Sequence, residues 1–242
     1  MDIPGGQLDN IRHLISETLD ACNSTAPAAT EQSGAAELVQ AFGQLVEVMQ
    51  RLDADHAAAD RAAGTDVTEI GEYALRLAEG LSAEIEQHQP GGLKMEQAAL
   101  IIDIALWVAQ RGGLIDTLEP VVDALARYAN TIRDPDKLEA LSGVIGQIIA
   151  AVSPVISQDL EKINPGRPWR VLLLNQSIIA TRSHNTALME QAFAQLTSKL
   201  PEDARQFFTE GIQQMDALDY PESVRKVMEK YHRQWSMDRS LH

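Results

Sequence analysis

Cysteine is almost missing from this chain: Cys22 stands alone among 242 residues. One thiol forms neither an intramolecular disulfide nor a cysteine-built zinc site. Its neighbours Asp20 and Asn23 offer no positive charge to activate it, so it is assigned no role. Aromatic residues are scarce at 5%. Runs of alternating β-branched residues are absent, which argues against a sheet and a dinucleotide-binding βαβ unit. Long apolar runs are missing too. The longest mostly apolar window, Ala98–Ala109, is broken by Asp103 and is too short for a bilayer, which takes about 20 residues. The start, Met1-Asp2-Ile3-Pro4-Gly5-Gly6, has no basic residue and no apolar stretch, so no secretory signal is expected and a cytoplasmic protein is the default. Several catalytic signatures are also absent. There is no glycine-rich phosphate loop ending in Lys-Ser/Thr, no Gly-x-Ser-x-Gly elbow and no His-Glu-x-x-His. No catalytic residue and no cofactor is expected.

Basic residues are outnumbered, 20 against 35 acids, for a net charge of −15. The imbalance sits at the front. Residues 1–90 hold 16 acids and 4 bases, residues 91–166 hold 10 and 6, and residues 167–242 hold 9 and 10. Phosphate backbones and anionic membranes repel such a surface, which excludes nucleic acid and membrane as direct partners. Plain solubility explains the acidity; the sharper expectation is a front half that docks a basic partner.

What the chain does have is helical periodicity. Ala, Leu, Ile, Gln and Glu dominate, and the expected fold is all-α with nine to ten helices. Leu8, Ile11, Ile15 and Leu19 mark a helix over about 7–22. A small, polar stretch near 23–34, punctuated by Pro27 and Gly34, reads as a flexible linker. Leu38, Phe42, Leu45, Met49, Leu52, His56, Ala59 and Ala63 then step by four and three, the seam of a helix packed on partner helices. Packing within the chain is the favoured reading, and a homodimer through the 38–63 helix is the alternative. Asp66 with Glu69 opens the next helix as a capping box. Pro90-Gly91-Gly92 and Gly112-Gly113 punctuate the chain further on. Glu96, Asp103 and Gln110 fall seven apart on one face of the apolar 93–111 helix, which places Asp103 toward solvent. Pro135, Pro154, Pro168, Pro201 and Pro221 each suit the first position of a helix, where a missing N–H costs nothing. The organisation expected is an acidic helical extension over 1–65, a helical-hairpin domain over 66–236 and a tail over 237–242.

Pro135, Pro168 and Pro201 are spaced 33 residues apart. Read as hairpins, 135–163, 168–199 and 201–236 form three units of that period, and the architecture resembles tetratricopeptide-type repeats, in spacing alone. The family's small-and-aromatic consensus does not recur: Asn175, Ala180 and Ala187 in one unit face Phe208, Gln213 and Tyr220 in the next. The resemblance implies stacked antiparallel helical hairpins, a TPR-like solenoid or an irregular bundle, with a concave surface for a protein or peptide partner.

Three clusters stand out as candidate sites. Asn175 and Gln176 lie in a helix apolar nearly all round over 168–182, so at least one amide is expected to be buried and hydrogen-bonded. The turn after it gathers Arg182, His184 and Asn185, groups able to grip an anion or a peptide carboxylate, or simply to cap the next helix. Tyr231 and Trp235 make the last helix aromatic, either as interface anchors or as a cover for the core. Glu229-x-x-His232, with Asp53-x-x-His56 as a weaker analogue, has the spacing of a dinuclear metal site in a bundle. The neighbouring Lys226, Lys230 and Arg233 make a solvated helix face the plainer reading. The leading expectation is a non-enzymatic binding or scaffold protein. An all-helical metal or cofactor enzyme and an oligomerisation module are the alternatives.

Overall fold

A computed structural model describes residues 3–25, 32–56, 64–88 and 91–237. Among them are eleven helices and no strand. The fold is all-α, as the periodicity predicts, with one or two more helices than expected. The difference lies near Pro154, where a short separate helix forms. Within helices the side chains of Cys22 and His56 lie outside the description, as do residues 26–31 and 57–63, so most of the linker, Ala59 and Ala63 are not placed.

The chain divides into two compact units. The first comprises Met1–Thr131 with Gly146–Leu160, and the second Ile132–Ile145 with Glu161–His242. Unit 1 carries α1 (Leu8–Thr25), α2 (Gln32–His56), α3 (Gly64–His88), α4 (Lys94–Gln110), α5 (Glu119–Thr131) and the single-turn α7 (Pro154–Ser157). Helix α6 (Pro135–Ala151) contributes its first part to unit 2 and its last to unit 1. Unit 2 carries α8 (Pro168–Arg182), α9 (Thr186–Lys199), α10 (Pro201–Ala217) and α11 (Glu222–Met237).

Helix α4 is the centre of unit 1 and packs on α1, α3 and α5. Every residue from Leu100 to Val108 is buried, which is the fate of a helix apolar around its circumference. The described part of the α2 seam packs on other helices of the chain. Helix α2 packs on α1 and α3, and Phe42, Leu45 and Met49 are at most 2% exposed. A polar clasp joins α2 to α4: the Arg111 guanidinium, through Nε and Nη2, grips the Asp53 carboxylate, and Trp107 Nε1 donates to the same carboxylate at 3.0 Å. Arg111 also lies 4.8 Å over the Trp107 ring.

Asp103 corrects the helical-wheel expectation. It is 2% exposed, because the N-terminal segment lies across the polar stripe of α4. Gly6 N–H donates to Asp103 Oδ1 at 2.7 Å, and Gln110 Nε2 donates to Gly5 O at 3.0 Å. Gly6 has φ +71°, and a Cβ there would sit 2.8 Å from Leu106 Cβ, so only glycine fits this approach. A wheel drawn for one helix cannot show a distant segment covering it.

In unit 2, α8 packs on α9, α10 on α11, and α9 on both α10 and α11. Prolines take the first position of α6, α8 and α10, and Pro221 falls one residue before α11. The interior is aromatic. Phe193 meets Phe207, Phe208 and Tyr231 edge-to-face, with centroids 5.1–5.7 Å apart, an arrangement worth about 0.5–1.5 kcal/mol per pair beyond burial. Arg170 on α8 donates through Nε (2.9 Å) and Nη2 (2.6 Å) to Asp203 Oδ1 on α10. Helix α8 is less enclosed than its composition predicts, since Ile178 is 45% exposed.

Candidate functional site

The exposed side of α8 forms one wall of a groove in unit 2. Helix α10 forms the opposite wall, and the α10–α11 turn closes one end. The groove encloses about 440 Å³. Ile178, Phe207, Met215, Leu218 and Met228 supply its apolar lining. Two of these are left largely in water, Ile178 at 45% and Leu218 at 53% exposure. A polar residue at either position would cost nothing in solvent, so the pair is the notable feature.

The α10 wall arises from local spacing. Phe207, Gly211 and Met215 step by four, which puts them on one face, and Leu218, just past the end of α10, extends the apolar lining. Gly211 lets α11 approach: a Cβ there would lie 2.7 Å from Met228 Sδ and Cε. A glycine in the stripe hides it from a search for apolar periodicity, and this is why the groove is not evident in the sequence. The charges stand on opposite walls, Arg182 on α8 and Glu210 on α10. Arg182 is anchored through Nη2, which donates to Ile132 O at 2.7 Å.

The candidate residues meet different fates. Arg182 lines the groove. His184 sits in the α8–α9 turn at φ +59° and places its ring edge-on to Tyr220, with centroids 5.5 Å apart and planes at 73°. Tyr220 is itself a groove residue. Asn185 caps α9, its Oδ1 accepting from Ala187 N (3.0 Å) and Leu188 N (3.2 Å). Asn175 is half-buried. Gln176 is buried, but its Oε1 finds no hydrogen-bond partner among the described residues, so the expected hydrogen bond is not made by this oxygen. Tyr231 lies inside the aromatic cluster and donates to Glu190 O at 3.3 Å. Burial pushes its phenol up, and the nearby Glu190 carboxylate adds to that rise while Lys230 opposes it. Trp235 is half-buried, and its Nε1 has no hydrogen-bond partner among the described residues. Glu229 and His232 are half-buried on α11. Among the described residues no three His, Cys, Asp or Glu side chains gather to hold a metal ion. No described helix is long and apolar enough to cross a membrane.

The structure therefore brings Arg182 to the groove and His184 against its Tyr220, while Asn185 caps a helix, Gln176 and Tyr231 are buried, and Asn175, Glu229, His232 and Trp235 are half-buried. Compared with protein-family models, with curated proteins and with solved structures, the chain finds no match.

Proposed function

We propose that this is a non-enzymatic protein-binding protein whose unit 2 groove receives an amphipathic helix of a partner. The observation that carries the reading is the pair of exposed apolar side chains, Ile178 and Leu218, set in a groove of about 440 Å³. Clustered apolar surface of this kind is unfavourable in water and is relieved by a partner. The walls are helices whose backbone groups are already paired internally, so no strand can add along them. The occupant must satisfy its own backbone, and a helix does so. Its apolar stripe would fall at i, i+3/i+4 and i+7, flanked by an acid toward Arg182 and a base toward Glu210. His184 and Tyr220 would meet one end of it. The repeat-like stacking of α8–α9 on α10–α11 belongs to the same reading. It is supported by the Arg170–Asp203 pair, which joins positions 33 residues apart.

A displayed library of amphipathic helices, selected on the full chain, tests this. Enriched peptides should show the stated apolar spacing and lose at least about tenfold in affinity to Ile178→Asp and to Leu218→Asp, equivalent to about 1.4 kcal/mol. The proposal fails if nothing is enriched, or if enriched peptides bind both variants as tightly as the parent.

A further inference from the structure

The loop before α8 displays bare apolar side chains. Val155, Leu160 and Ile163, which fall within one short stretch of chain, are 76%, 80% and 101% exposed. Single exposed apolar residues are ordinary on a protein surface, but three so close in sequence are not. Ile163 belongs to unit 2 and stands in a turn that is firmly held. Asn164 N–H donates to Glu161 O at 2.9 Å, closing a β-turn with Lys162 and Ile163 at its centre. Gly166 N–H donates to Asn164 Oδ1 at 2.9 Å.

Two arginines support this turn. The Arg167 side chain is 6% exposed. Its Nη1 donates to Lys162 O (3.4 Å) and Asn164 O (3.2 Å), the carbonyls on either side of Ile163. Arg170 Nη1 donates to Pro165 O at 2.8 Å. The backbone is thus fixed around a side chain left wholly in water. A turn fixed in this way loses little further freedom on docking.

We infer that the Ile163 turn docks into the unit 2 groove of a second copy of this chain. The inference rests on that groove being a docking surface and gives it a further occupant. Ile163 supplies an aliphatic anchor for the apolar lining. The helical walls require an occupant whose backbone is already paired, and the carbonyls of Glu161, Lys162, Asn164 and Pro165 are all taken within unit 2. The anchor follows an acid and a base, Glu161 and Lys162, and the walls carry a base and an acid, Arg182 and Glu210. Lys162 lies 3.2 Å from Glu202, with side chains 59% and 41% exposed, a surface pair that is exchanged at little cost.

A chain does not reach its own groove. Glu202 holds Lys162 and Arg167, and with them the turn, at the starts of α8 and α10. Ile178 lies about 15 Å further along α8 than Pro168. The contact therefore joins unlike surfaces of two copies, head to tail, and gives open chains or a closed ring. One anchor buries little area, so the association is weak and belongs to high concentration. A docked turn also occludes the groove, so self-association and helix binding compete.

Sedimentation equilibrium of the full chain between about 10 µM and about 1 mM tests this. The average mass should rise above the 26.5 kDa of one chain as concentration increases. Ile163→Asp and Leu218→Asp should each weaken association by at least about tenfold. Both positions are exposed, at 101% and 53%, so both variants should fold as the parent does. An equimolar mixture of the two should associate again but stop at pairs. Leu218→Asp keeps the turn and Ile163→Asp keeps the groove, so each pair has one intact contact. A parent that stays monomeric, a mixture that restores nothing, or association that survives either substitution overturns the inference. If selected helices still bind and lose affinity to Leu218→Asp, the helix reading stands while this inference falls. If association behaves as stated and no helix is enriched, the reverse holds.

Discussion

At the scale of single residues, the interior of unit 1 is set by what a side chain would displace. Gly71 on α3 faces Val108 on α4, and a Cβ at Gly71 would lie 2.2 Å from Val108 Cγ2. Valine is branched at Cβ and turns away only at a cost. Alanine is about 1 kcal/mol better than glycine in a helix interior, but overpacking costs about 1–3 kcal/mol. Gly71→Ala should therefore lower the denaturant midpoint. Gly43, on α2, has nothing within 4 Å of its Cβ position, so Gly43→Ala should raise that midpoint by the propensity gain alone. Asp103 adds a pH dependence. Burial pushes its carboxyl above the ordinary 3.8, against the opposing pull of hydrogen bonds from Gly6 and Gly5. The folded protein thus holds this proton more tightly than the unfolded chain does. The group's contribution to stability is fully present below pH 3.8 and is lost as pH rises through its folded value. Asp103→Asn keeps an acceptor for Gly6 N–H and removes the buried charge. Its melting temperature should exceed the parent's at pH 7, with the gain shrinking toward pH 4. A gain that is constant with pH, or a loss at pH 7, would contradict this account.

At the scale of elements, the join between α2 and α4 rests on one carboxylate with three donors, two from Arg111 and one from Trp107. The side chains of Arg111 and Asp53 are 19% and 27% exposed, so water screens this pair less than a surface pair. Asp53→Ala should cost about 1–3 kcal/mol, because it leaves the donors of Arg111 and Trp107 unmatched. Arg111→Ala added to it should cost less than its single effect, which equilibrium unfolding of the double variant would show. The same scale shows what was legible in the chain. Pro168, Asn185 and Pro201 mark local events, a ring that suits a first turn or an oxygen that caps one, and α8, α9 and α10 begin where these residues say. The burial of Asp103 and the exposure of Ile178 were not legible. Each depends on which distant segment lies over a face, the N-terminal strap in one case and no described segment in the other. The candidate site divides in the same way: Arg182 and His184 could be read as a polar turn, while Phe207, Gly211 and Leu218 become a wall only when α8 stands opposite.

At the scale of the whole molecule, charge opposes folding. The chain carries −15, with 16 acids and 4 bases in its first 90 residues. Compaction brings these acids together, and salt screens their repulsion over about 10 Å at 0.1 M and about 3 Å at 1 M. The melting temperature should therefore rise as NaCl is increased. A fall would mean that the surface ion pairs, such as Lys230 with Glu190 at 2.8 Å, outweigh the repulsion. The all-α class, the placing of most helices and the net charge follow from composition and from contacts within a few residues, so a linear chain suffices to specify them. The division into two units, the enclosure of α4, the strap over Asp103, and the meeting of α8 with α10 around one groove were decided by tertiary structure. The residues concerned are far apart in the chain, and only packing sets which faces meet and which remain open to a partner.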